Sequence, residues 1–292
     1  MPVHGEAAIV DSHHHVWDLS VRAQPFLESS EELAPLRRKF LLPDLEPLAA
    51  GAGVSATVVV QTVTEPGETT ELLALAGAGT LVAAVVGWVD LTEAAVADSL
   101  AALRGQPGGD HLAGIRHPLL TEPDPGWIAR QDVRRGLAAV AAGGLVFDLV
   151  LQPELLPAAV DAAAAIPELT FVLDHLGNVP VEARIDPGWG AAFTRFAALP
   201  NTVCKLSGIL GDPGSATGPG SDIAHLRPYF DFALARFGPG RLMFGSDWPV
   251  CTLTASYAEV VAAARALIAQ LSESEQGEIL GGTASRVYQL DH

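Results

Sequence analysis

The stretch AAIVDSHHHVWD, residues 7–18, decides between two folds, because an apolar run ends there in three consecutive histidines. Ala8, Ile9 and Val10 read as a short buried strand over 7–12. An open, doubly wound sheet that binds a dinucleotide carries G-x-G-x-x-G after its first strand. HHHVWD has no glycine, which weakens that fold. In an extended chain alternate side chains share a face, so His13 and His15 project together while His14 points away. Two imidazoles on one face can bind a metal or handle protons. A tag or a solvated polar turn is the plainer reading of the same letters.

Seven more apolar, β-branched runs follow this one: 55–62, 81–89, 112–117, 145–151, 170–175, 201–208 and 241–247. Between them, 92–103, 131–142, 155–165, 222–237 and 254–271 are rich in Ala, Leu, Glu and Arg with helical apolar spacing. Strand followed by helix, eight times over, predicts an α/β fold of the (β/α)8 TIM-barrel type, and 292 residues suit that barrel with additions. Neither an internal repeat nor a linker interrupts the pattern, so a single domain over 1–292 is expected. The segment 18–42 is long for a first connection and is expected to fold over the barrel mouth or to add a helix. GDPGSATGPGSD, 211–222, reads as a loop after the seventh strand.

Composition narrows the partners. Apolar residues make up 49% of the chain, yet no run approaches the roughly 18 uninterrupted apolar residues of a membrane span. A net charge of −17 argues against nucleic acid or an anionic membrane surface. MPVHGEAA has neither a basic region nor an apolar signal core, and Cys204 and Cys251 lack CxxC spacing. Both observations point to a reducing cytoplasm. The exposed helix faces of a barrel leave a homodimer open.

In barrels, chemistry collects at the C-terminal strand ends. There the sequence places His13 and His15, Gln61, Trp88 with Asp90, Arg116 with His117, Asp174 with His175, Lys205 with Ser207, and Asp247. Each has a plainer use. Asp174 and Asp247 can cap the next helices, with Asp174 the stronger candidate. Arg116 can form a structural ion pair, and Lys205 can be a buried carboxylate's partner as readily as a substrate contact. His117 precedes Pro118 and reads as a loop residue. Trp88 and Trp248 can be packing or the wall of a pocket. Seven polar ends aimed at one mouth are harder to read as solvation.

VDSHHHVWD, VVGWVDL, GIRHPL, FVLDHLGN, VCKLSG, RLMFGSDWPV and GGTASRVYQL together resemble the amidohydrolase superfamily. The match spans about residues 9–290, in order, within the amidohydrolase-related branch that contains sugar lactonases such as fuconolactonases and rhamnonolactonases. The resemblance implies a (β/α)8 barrel and a hydrolase acting on carboxylic-ester bonds of small cyclic substrates. It sets His13 and His15 on the family's strand-one H-x-H, His175 on its strand-six histidine and Asp247 on its strand-eight aspartate. Two positions depart: Asn178 stands where relatives carry the lysine of DHLGKP, and Gln152 where they often carry a basic residue. Both departures bear on specificity more than on reaction class.

From these residues we expect Asp247 to take a proton from water and return it to the leaving oxygen. His175 and Arg116 would stabilise the oxyanion. One divalent ion, zinc, would sit on His13, His15 and Asp247, with metal-free action as the alternative. Strand four offers Arg116 in place of a bridging lysine, which argues against two ions. Arg116, Gln61, Lys205 and Asn178 would contact a small hydroxylated lactone between Trp88 and Trp248. A metal-dependent non-oxidative decarboxylase on the same fold is the first competing function, and a catalytically silent sugar-binding barrel the second.

Overall fold

A computed structural model of the chain describes residues 8–179, 184–208 and 223–290. The strands are β1 (Ile9–His14), β2 (Val54–Val60), β3 (Val82–Gly87), β4 (Leu112–Pro118), β5 (Val146–Val150), β6 (Phe171–Leu173), β7 (Thr202–Leu206) and β8 (Leu242–Phe244). They form one eight-stranded parallel sheet in chain order. The first and last strands meet just beyond β8: Asp247 N donates to His13 O at 2.8 Å and His15 N to Trp248 O at 2.7 Å. Helices alternate with the strands, making a (β/α)8 TIM barrel. Among the described residues no helix is long and apolar enough to cross a membrane.

The two faces of each strand build two cores. Val59, Val85, Phe147 and Phe171 pack outward in the cluster that includes the helices' apolar stripes. Val10, Val58, Val60, Val86, Val146, Val172, Val203 and Met243 form a second cluster inside the barrel, joined by Ala284, Tyr288 and Leu290 from the C-terminal segment. Branched side chains of this kind fill a barrel as a packed layer. The period of two then decides what stands above it. Two residues beyond Val146, Val172 and Val203 come Asp148, Asp174 and Lys205, all fully buried. Charge is thus lifted onto the apolar layer by the pleat alone.

The expected helices at 131–142, 155–165 and 222–237 appear as Gln131–Ala142, Leu156–Ala165 and Ile223–Phe237. Expected 254–271 is shorter, Tyr257–Ile268, because Ser256 and Glu259 close a capping box at its start. β1 runs on into the histidines as far as His14, beyond the expected end at 12, and β6 and β8 are three residues each. Segment 18–42, expected to fold over the mouth or to add a helix, forms 3-10 turns at Pro25–Glu28 and Glu31–Leu36. Trp17 and Phe40 then pair through backbone bonds of 2.8 and 2.9 Å, and Phe40 meets the Trp248 ring edge-on at 5.6 Å. The expected loop 211–222 lies outside the described residues.

Candidate active site

β1 delivers its imidazoles as the period of two requires. His13 Nε2 and His15 Nε2 face each other at 3.2 Å. Asp247 Oδ1 stands 3.7 Å from the first and 3.4 Å from the second. His15 Nδ1 lies 2.7 Å from the Val60 carbonyl, which can only accept, so the proton is on Nδ1 and Nε2 keeps its lone pair. His14 turns the other way, to Thr57 Oγ1 at 2.9 Å. Burial holds all three imidazoles neutral: His13 is pushed well down, and His14 and His15 to about 3.

These three donors fit one divalent ion. Ligands at about 2.0–2.1 Å from a tetrahedral zinc stand roughly 3.3 Å apart, close to the spacing found here. Two neutral imidazole nitrogens and a carboxylate oxygen converging in a buried site also need a positive charge or a proton among them. His13 can supply either arrangement. With its proton on Nε2 it points at the His15 lone pair; with Nε2 on an ion, the proton sits on Nδ1, where Asp174 Oδ1 is 3.4 Å away.

Beneath His13 lies a layer of buried charge. Asp174 Oδ2 meets Arg116 Nη1 at 3.1 Å, and its Oδ1 meets Lys205 Nζ at 3.1 Å. Lys205 Nζ also lies 2.6 Å from Asp148 Oδ2 and 3.1 Å from His13 Nδ1. The Tyr288 hydroxyl donates to Asp148 Oδ2 at 2.8 Å. Burial works to raise the Asp174 carboxyl, but Lys205, His13 and Arg116 outweigh it and hold it well below the usual range. Burial lifts Asp148 to about 6 against the pull of Lys205. Asp174 is therefore no helix cap: its side chain makes no cap hydrogen bond and belongs to this ion cluster. Lys205, expected among the substrate contacts, is fully buried and engaged by two carboxylates.

His175 and Asp247 are held by unusual backbone. Both lie in the left-handed region, at φ 55° and 58°, and Leu176, Gly177 and Asn178 continue it. Such positions cost of order 1–3 kcal/mol each and persist where the surroundings enforce them. One enforcer is Asp11, absent from every sequence expectation. Its carboxylate accepts from Ser246 N at 2.7 Å, Ser246 Oγ at 2.6 Å, Tyr257 Oη at 3.0 Å and His13 N at 3.2 Å. One buried acid thus ties the His13 strand to the Asp247 turn. Gly245 is needed at this junction, since a Cβ there would lie 2.8 Å from His13 Cβ. A Cβ on Gly208 would lie 2.7 Å from His175 Nδ1, which Ser207 Oγ meets at 2.9 Å.

The remaining expected residues are spread around this centre. Arg116 Nη1 reaches to 3.5 Å from His13 Nε2, while Nη2 donates to the Gln61 carbonyl. Gln61 Nε2 returns a bond to Arg116 O at 3.1 Å. The His175 ring lies 4.5 Å from that of His13. Asn178 instead donates to Leu151 O at 2.9 Å, and Trp248 is buried against Phe40. Trp88 Nε1 donates to His117 Nδ1 at 3.2 Å; His117 stacks on Trp127 at 3.8 Å, and its Nε2 meets Glu122 at 3.1 Å. His117 is more than a loop residue. Asp148 was legible as an acid inside the apolar run LVFDLVL, whereas Tyr288 carries no local signal.

The depressed histidines make a stability prediction. The unfolded His14 takes a proton near pH 6.5, while the folded one resists to about 3 under burial and the neighbouring His15. The unfolded state therefore binds more protons in that window, and stability is lost as pH falls through it. His14→Gln should flatten the decline by about 1.4 kcal/mol per pH unit between pH 6 and 4. Urea unfolding of both proteins at several pH values measures this, and equal slopes would show that His14 ionises in the native state.

Comparisons with known proteins agree with this architecture. The family model described as Amidohydrolase matches residues 10–290. A protein of Burkholderia multivorans called L-fucono-1,5-lactonase is 38% identical over 96% of each chain. One of the same name from Burkholderia ambifaria is 33% identical over 97% of this chain and 96% of its own. The crystal structure of an amidohydrolase from Burkholderia multivorans with bound zinc superposes with a TM-score of 0.89, at 37% identity over 98% of this chain and 100% of that one. Matched over nearly its whole length, the chain belongs to the amidohydrolase family.

Proposed function

We propose that the protein hydrolyses a small sugar lactone to its hydroxy acid. The observation that carries this reading is the convergence of Asp247 with His13, His15, Arg116 and His175 at the barrel mouth. Asp247 Oδ1 faces the two imidazoles, which leaves Oδ2 for a water. Burial raises the Asp247 carboxyl above its ordinary range, toward the pKa of an effective general base near neutrality. The carboxylate takes a proton from the water as oxygen attacks the lactone carbonyl carbon. The carbonyl π bond becomes an oxyanion, which Arg116 and His175 stabilise. Collapse of that intermediate breaks the ring C–O bond, and Asp247 returns the proton to the departing alkoxide. An ion held by His13, His15 and Asp247 would polarise a carbonyl or acidify a water.

The nature of the substrate follows from the charge already present. Arg116 and Lys205 are paired with Asp174 and Asp148, so neither is a free counter-ion for a dicarboxylate. A neutral polyol ring suits such a site better, and the lactonase names of the two Burkholderia relatives support it. Cys204 and Cys251 are buried free thiols, which supports a reducing, cytoplasmic setting; a place in carbohydrate catabolism follows from the sugar-lactone reading itself. We take the whole chain, 1–292, to act as one domain.

A pH-indicator assay over a panel of lactones tests the reading. Five- and six-membered aldonolactones should release acid rapidly, and acyl homoserine lactones little. Preference for long acyl chains would refute the sugar assignment. Gas release from aromatic acids, with no lactone opened, would make the protein a decarboxylase.

A further inference from the structure

His13 belongs to two donor groups at once: with His15 and Asp247, and with Asp174 and His175, each close enough to surround a cation. The second group lies on the Nδ1 side, where Asp174 Oδ1 is 3.4 Å away. A cation already stands there. Lys205 Nζ is 3.1 Å from His13 Nδ1, 3.1 Å from Asp174 Oδ1 and 2.6 Å from Asp148 Oδ2.

We infer that the Lys205 ammonium is the resident cation of this second group, standing where a second metal ion would bind and keeping one out. The inference rests on reading His13, His15 and Asp247 as the holders of a first ion. Three features carry it. The ammonium fills the space a metal would need beside the carboxylates, 3.1 Å from Asp174 Oδ1 and hydrogen-bonded to Asp148 Oδ2 at 2.6 Å. The charge is already balanced, with Lys205 and Arg116 against Asp148 and Asp174, so an added divalent ion would be an uncompensated buried charge. The ammonium is also held in place, because Tyr288 donates to the same Asp148 oxygen that Lys205 pairs with, and Lys205 is fully buried. The cluster therefore excludes a second ion through the lysine on β7, with the arginine on β4 completing the charge balance.

The test is zinc content per chain after equilibrium dialysis against Zn²⁺, read by native mass spectrometry on the full-length protein. Lys205→Ala vacates the volume and leaves the Asp148 and Asp174 carboxylates around it; it should hold one more zinc than the wild type. Lys205→Met fills the volume without charge or added donor strength and should match the wild type. Should Lys205→Ala fail to fold, Lys205→Ser, which also vacates the volume and keeps both carboxylates, should show the same gain. Equal zinc content in wild type and either folded small-residue variant would overturn the inference, as would two ions in the wild type. A wild type with no zinc and an alanine variant with one would support the Lys205 assignment while refuting the first ion at His13, His15 and Asp247.

Discussion

Asp247→Asn should lower turnover on the preferred lactone by at least about a hundredfold, the usual scale for losing a positioned acid–base group. The substitution is nearly isosteric. Asparagine also tolerates the left-handed backbone at this position, where φ is 58°, better than most residues. The Asp247 N–H bond to His13 O is untouched, so the turn and the β1–β8 junction should survive. What is lost is a carboxylate able to carry a proton between water and leaving group, and the negative charge 3.4 Å from His15. The measurement pairs initial rates by pH indicator with thermal unfolding. Near wild-type rates in a folded variant would remove Asp247 from the chemistry and leave it a structural acid.

Lys205→Met should cost about 3–5 kcal/mol of stability, because removing one partner of a buried ion cluster strands the other. Asp148 and Asp174 would then share a fully buried layer with Arg116 as their cation, and Arg116 bonds Asp174. Adding Asp148→Asn should recover most of the loss, since the remaining Arg116–Asp174 pair is neutral. Urea unfolding of the wild type, the single variant and the double variant closes the comparison. A single-variant loss below about 1 kcal/mol would show that Lys205 is not the main support of the Asp148 carboxylate.

The barrel was legible because it depends on local pattern repeated many times. Eight apolar runs separated by helical spacing leave few other arrangements, and β-branched residues such as those of Val54–Val60 mark their own strands. Boundaries were less legible where the chain leaves the sheet early. β6 and β8 end at three residues because the left-handed turns carrying His175 and Asp247 begin almost at once, and the enrichment of His, Asn and Asp in that region is too weak to place such a turn from sequence. The helix-cap reading of Asp174 failed for a related reason. Position alone favours a cap, but Arg116 from β4 and Lys205 from β7 supply a stronger, charged alternative.

By itself, then, the sequence determined the alternation of strands and helices and the inward aim of His13 and His15 along one strand. It also placed His175 and Asp247 at strand ends. All of these follow from periodicities of two and 3.6 that act over a few residues. Only the closed sheet decided how those ends combine. It brought Asp11 beneath Ser246, 235 residues later, and Tyr288 beneath Asp148, 140 residues earlier. It also turned Lys205 from a candidate substrate contact into an internal cation between two acids. Those partners are set by which side chains share the barrel interior, and that is a property of strand order and register, to which sequence separation is no guide.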